Sequence, residues 1–138
     1  VQSRVNSKII NILEETSKFV LKDKPKKVGL MATDGTIKSG AYHKFIGNDL
    51  LFVPDDVHQE KVMNIIYNKV KKNKEVSLDE FEEILDYFRE NGCEKIILGC
   101  TELSVIYSYL KVSYSDVVDS LTVLARKAVE LSGKSLKE

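Results

Sequence analysis

Three chemically capable side chains, Cys100, Thr101 and Glu102, follow directly after the apolar run Lys95 to Gly99. If this run is a strand and a helix begins after it, the cysteine lies near free backbone N–H groups and the positive end of the helix dipole, which stabilise a thiolate. Thr101 and Glu102 could then bind a ligand or accept a proton, and Gly99 would let the ligand approach the backbone. A buried core thiol is the alternative, because free cysteine is among the residues most often buried.

A second stretch with chemical potential is ATDGT, Ala32 to Thr36. Here Gly35 lies between the hydroxyl groups of Thr33 and Thr36, at a point where a helix can begin. Backbone amides and hydroxyls in such a loop can hold a small anion. The same residues also suit a turn with threonine caps and no ligand, so the loop gains weight only in combination with the cysteine.

Hydrophobic periodicity indicates the elements that must position these two stretches. Four short apolar runs are predicted to be strands: Lys27 to Thr33, Asp49 to Pro54, Lys95 to Gly99, and Val117 with Val118. Helical spacing predicts helices over residues 3 to 21, Ile37 to Ile46, Val57 to Val70, a segment capped by Ser77 and stopped by Asn91 and Gly92, a segment from Cys100 onward, and a last helix capped by Asp119 or Ser120. This last helix should bury Leu121, Leu124, Ala125, Ala128 and Leu131.

Strands that alternate with helices indicate right-handed crossovers and a mostly parallel sheet that is covered on both faces. We therefore predict an α/β fold, a three-layer sandwich with a sheet of about four strands. Ligands of such sheets bind at the carboxyl ends of the strands, so the loops after the first and third strands, ATDGT and GCTE, should meet at one edge.

Length, composition and charge exclude several classes of function. The chain has 138 residues, of which 43% are hydrophobic and 30% charged, an ordinary composition for one globular domain. Lys and Arg number 21, as do Asp and Glu, so the zero net charge favours neither a nucleic-acid partner nor a membrane surface. No apolar run reaches the roughly 20 residues of a membrane helix, and no signal-peptide pattern is present, so we expect a cytoplasmic protein.

The other cysteine and the histidines do not predict a metal or redox site. Cys93 and Cys100 lack CxxC spacing, and Cys93 precedes the third strand, so it should be a structural thiol at the opposite end of the sheet. His43 and His58 are isolated, without a second histidine or a carboxylate at ligand spacing. Both histidines are predicted to be solvent-facing or hydrogen-bonded structural residues.

Four stretches resemble the C-terminal half of the aspartate/glutamate racemase family, the cofactor-independent amino-acid racemases. They are Val28 to Tyr42, Val53 to Lys71, Gly92 to Leu103 and Val117 to Val129, in the order of the family. The resemblance implies one of two pseudo-symmetric domains of flavodoxin-like or Rossmann-like shape. It divides the chain into residues 1–25, a helix that links to a missing N-terminal domain, and residues 26–138, the C-terminal racemase domain.

In this family two cysteines on opposite faces of the substrate exchange the Cα proton, without pyridoxal phosphate or any other cofactor. The resemblance implies that Cys100 is the second of these cysteines and the catalytic residue of this chain. It also implies the residues that bind the substrate: Thr33, Gly35, Thr36, Lys71, Thr101 and Glu102. Among them, Lys71 matches the family lysine that engages the side-chain carboxylate of the substrate. Glu102 suits the aspartate racemases, because glutamate racemases carry histidine there.

The first cysteine of the family lies in its N-terminal half, and these residues hold no counterpart. We therefore expect three partners: an amino-acid substrate, either aspartate or glutamate, the N-terminal half of the same enzyme, and a second copy in a homodimer. The 138 residues alone should be nearly inactive. Two alternatives remain open: a non-catalytic small-anion-binding or regulatory domain of flavodoxin-like shape, and a related isomerase of the maleate isomerase or hydantoin racemase type.

Overall fold

The computed structural model describes residues 12–70 and 78–131 of the chain. Within these ranges the strands are β1 (Val28–Met31), β2 (Leu51–Phe52), β3 (Lys95–Leu98) and β4 (Val117–Asp119). The helices are α1 (Ile12–Leu21), α2 (Asp34–Ser39), α3 (His43–Ile46), α4 (Asp56–Asn64), α5 (Leu78–Glu90), α6 (Thr101–Leu110) and α7 (Ser120–Leu131), and a π-helical segment at Ile65–Val70 continues α4. In the part of the chain so described, no helix has both the length and the apolar composition needed to cross a membrane.

The strands form one parallel sheet in the order β2-β1-β3-β4. Successive side chains of a strand point to opposite faces, so the sheet has two apolar sides. Ile96 and Leu98 of β3 face a core formed with α4, α5 and α6, whereas Ile97 faces a core formed with α1, α3 and α7. The predicted three-layer α/β sandwich with four parallel strands is confirmed.

Helix α5 covers one face of the sheet because its apolar residues recur every three or four positions. Its buried residues are Phe81, Ile84, Leu85 and Phe88. Phe88 packs against β1 at Gly29, where a Cβ atom would lie only 2.4 Å from Phe88 Cδ1. The helix ends at Glu90, two residues before Gly92, which has a φ of 89°, and the Cys93 N–H then donates back to the Phe88 carbonyl. The predicted stop is confirmed, whereas the predicted cap, Ser77, lies outside the described residues.

Two predicted helices are interrupted. The helix predicted over Ile37 to Ile46 is divided into α2 and α3, because Gly40 ends α2 with a φ of 70°. Helix α2 also begins earlier than predicted, at Asp34, because the Thr33 side chain caps it. The helix predicted through Val57 to Val70 becomes π-helical after Asn64.

The predicted apolar face of the last helix is wrong in part. Val123 of α7 is 8% exposed and lies over the core shared with α1 and α3. Leu121, by contrast, is 37% exposed, and Ala125 and Ala128 are exposed as well. The face of α7 that carries Val123 therefore packs towards the sheet, and Leu121 lies at the surface. The side chain of Leu131 lies outside the described part of the chain.

Candidate active site

Three strand ends lie side by side at the carboxyl edge of the sheet. Met31 of β1 pairs with Leu98 of β3, and Leu98 pairs with Asp119 of β4. The Gly99 N–H donates to the Met31 carbonyl over 2.9 Å, which extends the pairing of β1 and β3 by one residue. Because adjacent strands lie about 4.8 Å apart, the loops that follow Met31 and Leu98 leave the sheet as neighbours. The ATDGT and GCTE loops therefore meet at one edge.

Cys100 is the N-cap residue of α6, and its side chain is half-buried. Its Sγ donates to Glu102 Oε1 over 2.7 Å. Burial, and after it this carboxylate, raises the pKa of the thiol to about 11, although the backbone N–H groups of Glu102 and Leu103 act in the opposite direction. The helix N-terminus therefore favours a thiolate, but burial of the sulfur outweighs it. The expected effect of the helix N-terminus on the thiolate is therefore present, but it is too small to bring the pKa of Cys100 down to its ordinary value.

The absence of a side chain at Gly99 leaves room for core side chains to pack against its backbone. A Cβ atom at this position would lie 3.1 Å from Leu30 Cδ1 and 3.2 Å from Tyr42 Cε2. Leu30 and Tyr42 are both fully buried on one side of the sheet. The missing side chain therefore faces the core, and glycine is needed here for the packing of Leu30 and Tyr42.

The ATDGT loop forms the first turn of α2. Thr33 Oγ1 accepts from the Thr36 N–H over 3.3 Å and lies 3.1 Å from Thr36 Oγ1, so the two hydroxyls together keep one hydrogen for a ligand. Gly35 is exposed, and a Cβ atom there would have Thr33 Oγ1, at 4.0 Å, as its nearest neighbour. Amide groups of a first helical turn lack partners within the helix, so an anion could approach the backbone at Gly35.

Gln59 of α4 ties this loop to the neighbouring helix. Its Nε2 donates to the Ala32 carbonyl and to Asp34 Oδ1, both over 2.9 Å. The two bonds fix the position at which the chain leaves β1 and enters α2. Periodicity does not predict this contact, although Gln59 matches a position of the racemase family at which the resemblance implies local support for the site.

The structure describes all but one of the predicted site residues. Thr101 is the exposed first residue of α6, beside Cys100. Lys71 lies outside the described residues. Cys93 is buried before β3, at the opposite end of the strand from Cys100, and burial raises the pKa of its thiol to about 11. The predicted site residues that meet at the carboxyl edge are Thr33, Gly35, Thr36, Cys100, Thr101 and Glu102.

A polar cluster beside β2 is absent from the sequence-based prediction. His58 Nδ1 lies 2.7 Å from Asp55 Oδ1, and the His58 ring stacks on Tyr87 with 3.6 Å between the ring centroids. The Tyr87 hydroxyl also accepts from the Asp55 N–H over 3.0 Å. His58 therefore has a carboxylate partner, contrary to the expectation that it is isolated. The available signal was Asp55 itself, a helix-capping residue three positions before the histidine.

Proton transfer and anion binding are the chemistry available at this edge. Cys100 and Glu102 form a hydrogen-bonded pair of proton donor and acceptor. Beside them, the first turn of α2 offers backbone amides, and Thr101 offers an accessible hydroxyl. Within residues 12–70 and 78–131, no group of three or more His, Cys, Asp or Glu side chains is arranged to hold a metal ion.

Two sequence relatives bear on the identity of the chain. It is 30% identical over 133 residues to an uncharacterized protein encoded in the pnlA 3′ region of Pectobacterium carotovorum subsp. carotovorum, a match that covers 94% of this chain and 89% of that protein. It is 20% identical over 98 residues to a glutamate racemase of Shewanella woodyi, which covers 71% of this chain and 37% of that protein.

A solved structure and a family pattern agree with these relatives. The Picrophilus torridus aspartate racemase superposes with a TM-score of 0.70 and 27% identity, over 90% of this chain. The chain spans about half the length of that protein, 52%, and less of the glutamate racemase. The sequence pattern of the Asp/Glu/Hydantoin racemase family matches residues 1–128. Since this match covers nearly the whole chain, and the parallel sheet and its two edge loops agree with it, the chain belongs to the Asp/Glu/Hydantoin racemase family.

Proposed function

We propose that this chain provides one face of a cofactor-independent amino-acid racemase site, in which Cys100 transfers the Cα proton of aspartate or glutamate. The observation that carries the proposal is the hydrogen bond from Cys100 Sγ to Glu102 Oε1, one strand away from the ATDGT loop. A proton donor next to an anion-binding loop suits a substrate that bears both a Cα–H group and carboxylates. Membership of a racemase family supports an isomerase.

The step assigned to Cys100 is a proton transfer between sulfur and carbon. In one direction the thiol gives its proton to a carbanion-like Cα and becomes a thiolate. In the other direction the thiolate takes the Cα proton, so the S–H bond forms as the C–H bond breaks. The pKa of about 11 keeps the sulfur protonated at rest, and it makes the thiolate a stronger base towards a weakly acidic Cα–H.

The substrate carboxylates are assigned to the ATDGT loop and to Lys71. Gly35 is exposed there, and the hydroxyls of Thr33 and Thr36 keep one hydrogen between them. Thr101 adds a hydroxyl beside the reacting sulfur. The role of Lys71, as the group for the side-chain carboxylate, rests on the family resemblance.

A complete racemase site requires a second thiol on the other face of the substrate. Cys93 is unsuited to this role because it precedes β3, whereas Cys100 follows that strand. We propose that an N-terminal half supplies the second thiol, that residues 1–25 link to it, and that residues 26–138 form the C-terminal racemase domain. The described part of the link, α1, buries Val20 in the same core as β1. A homodimer and a cytoplasmic location are further proposals from the sequence.

Hydrogen exchange at Cα tests the assigned step with this chain alone. In D2O, a thiol that removes and returns the Cα proton on one face should introduce deuterium into one enantiomer of aspartate or glutamate without inverting it. Cys100→Ser should lower this rate about a hundredfold, the usual size of a general acid–base contribution. Cys93→Ser is the matched control and should retain the rate. NMR of the Cα proton measures the exchange rate. An exchange rate that is unchanged in Cys100→Ser would reject the assignment.

A carboxylate-binding module without catalysis is the second candidate, and the raised pKa of Cys100 favours it. A thiol with a pKa of about 11 is almost wholly protonated at pH 7, which makes it a weak base at rest. In this case acidic amino acids should bind at the ATDGT loop, and deuterium should not enter the Cα position. Calorimetric binding without exchange would favour this candidate, whereas exchange that depends on Cys100 excludes it.

A further inference from the structure

The Gly99–Cys100 turn is held from the β4 side by contacts that the proposed proton transfer does not use. Ser120 Oγ donates to the Leu98 carbonyl over 2.7 Å, and Ser104 Oγ donates to Asp119 Oδ1. The two serines are only 4% and 3% exposed, respectively. Buried hydrogen bonds of this kind fix geometry, because a polar group left unpaired there is costly.

Asp119 is the carboxylate at the centre of these contacts. Besides the bond from Ser104, its oxygens accept from the Leu121 N–H over 3.2 Å and from Thr122 Oγ1 over 2.9 Å. Leu121 and Thr122 lie in the first turn of α7, so Asp119 caps this helix, one of the two caps that the sequence predicts. A capping role does not require the bond from Ser104. That bond joins α6 to the end of β4.

Ser104 lies one helical turn after Cys100 in α6. Its backbone N–H donates to the Cys100 carbonyl over 3.1 Å, and its Oγ lies 3.4 Å from the same oxygen. A hydroxyl has one hydrogen to donate, and the Asp119 oxygen is the nearer of its two acceptors. The Asp119 carboxylate therefore holds the Ser104 hydroxyl, and the backbone bond from Ser104 to the Cys100 carbonyl connects this contact to the first turn of α6.

We propose that Asp119 is a positioning residue for Cys100: through Ser104 it fixes the first turn of α6 and keeps the thiol hydrogen-bonded to Glu102. The catalytic meaning of this inference rests on the proposed function. The position of the thiol is nevertheless a property of the fold, and it can be measured without turnover.

Alkylation by iodoacetamide reports the environment of Cys100, and Cys93 in the same molecule is an internal standard. Asp119→Ala releases Ser104, so the thiol should leave Glu102 and its pKa should fall from about 11 towards the ordinary value of 9.0. Burial still acts on the sulfur, so the expected fall is about one pH unit; at about pH 8 this raises the thiolate fraction roughly tenfold and lowers its intrinsic reactivity roughly threefold. Cys100 should therefore react about threefold faster, with the Cys93 rate unchanged.

Two variants distinguish the proposed positioning of Ser104 by Asp119 from the effects of the Asp119 charge and of helix capping. Asp119→Asn removes the charge but retains an oxygen that accepts from Ser104 and from the Leu121 N–H, so it should restore the wild-type rate and pH midpoint of Cys100. Thr122→Val removes a capping contact and leaves the Ser104 bond, so it should also behave as the wild type. If Asp119→Ala does not fold, Ser104→Ala removes the same link from the α6 side and should give the same shift.

Three results would overturn the inference. One is an Asp119→Ala variant, or a Ser104→Ala variant in its place, in which the pH midpoint of Cys100 alkylation equals that of the wild type. Another is a parallel rise at Cys93, which would indicate general loosening of the fold. The third is an equal shift in Asp119→Asn, which would assign the effect to charge. Failure of the proposed function is seen separately, as absence of Cα exchange in the wild type, and does not alter the alkylation rates.

Discussion

The Cys100 thiol donates to Glu102 Oε1 over 2.7 Å within the first turn of α6. After burial, this acceptor is the largest cause of the raised thiol pKa, since both its hydrogen bond and its negative charge favour the protonated form. The carboxylate therefore keeps the proton on sulfur. A substrate that receives this proton must lie close enough to compete with Glu102 for it.

Glu102→Gln should lower the pKa of Cys100, because it removes the charge and retains the shape of the side chain. Burial still acts, so the pKa should lie between about 11 and the ordinary thiol value of 9.0. Alkylation of Cys100 at about pH 8 should then be faster by roughly threefold for each unit lost. Glu90→Gln, an exposed position at the end of α5, is the control and should change neither cysteine. An unchanged Cys100 midpoint in Glu102→Gln would contradict the assignment.

Gly99→Ala should destabilise the fold by about 1–3 kcal/mol, the usual cost of overpacking. The new Cβ atom would lie 3.1 Å from Leu30 Cδ1 and 3.2 Å from Tyr42 Cε2, so these two buried side chains would have to move by a few tenths of an ångström. Gly35→Ala is the matched change, since its nearest neighbour would be Thr33 Oγ1 at 4.0 Å. It should be neutral or stabilising by about 0.5–1 kcal/mol, because alanine favours a helix. Urea unfolding measures both, and equal stabilities would contradict the prediction.

The three layers of the fold, and the end of the sheet at which the candidate site lies, could be predicted because they depend on local sequence patterns. The apolar run at β3 and the helical spacing of Phe81, Ile84, Leu85 and Phe88 each report burial directly. The last helix was harder, since Val123 and Leu121 are both apolar and only tertiary packing decides which one is buried. Gly40 likewise ends a helix through its conformation, which an apolar pattern does not encode.

The position of Cys100 was predictable from the chain, but its protonation was not. A strand followed by a helix places the thiol at the carboxyl edge of the sheet. Its pKa depends on burial among residues from other elements, and on which side chain faces it. The same holds for the contact of Gln59 with Ala32, 27 residues away, and of Ser104 with Asp119, 15 residues away. Long-range polar contacts leave no periodic signal.

The stabilising effect of Asp55 should be lost in acid. Asp55 Oδ1 accepts from the His58 N–H over 2.9 Å and lies 2.7 Å from His58 Nδ1, and these contacts hold the pKa of the carboxyl below its ordinary 3.8. A carboxyl group whose pKa is lower in the folded state than in the unfolded state stabilises the fold at pH values above its unfolded-state pKa. This stabilisation is lost as the pH falls through the folded-state pKa. Asp55→Ala should therefore lower the urea midpoint clearly at pH 7 and much less near pH 2.

Asp56→Ala is the control for this pH dependence, because Asp56 is the exposed neighbouring residue and does not cap α4. Its effect should be small at both pH values. A deficit of Asp55→Ala that is undiminished in acid would show that the contacts with His58 do not act through the charge of the carboxylate.

Acidic amino acids should protect Cys100 from alkylation if the ATDGT loop binds their carboxylates beside it. A bound ligand that covers the thiol slows its reaction by a factor of 1 + [L]/Kd, so a concentration of ten times Kd should slow Cys100 about elevenfold. Cys93, at the other end of β3, should react at the same rate throughout. Thr36→Val should weaken the protection, because it removes one of the two hydroxyls of the loop, whereas Thr122→Val should not. Alanine, which lacks the second carboxylate, should protect less than aspartate or glutamate, and equal protection by alanine would reject a site for acidic amino acids.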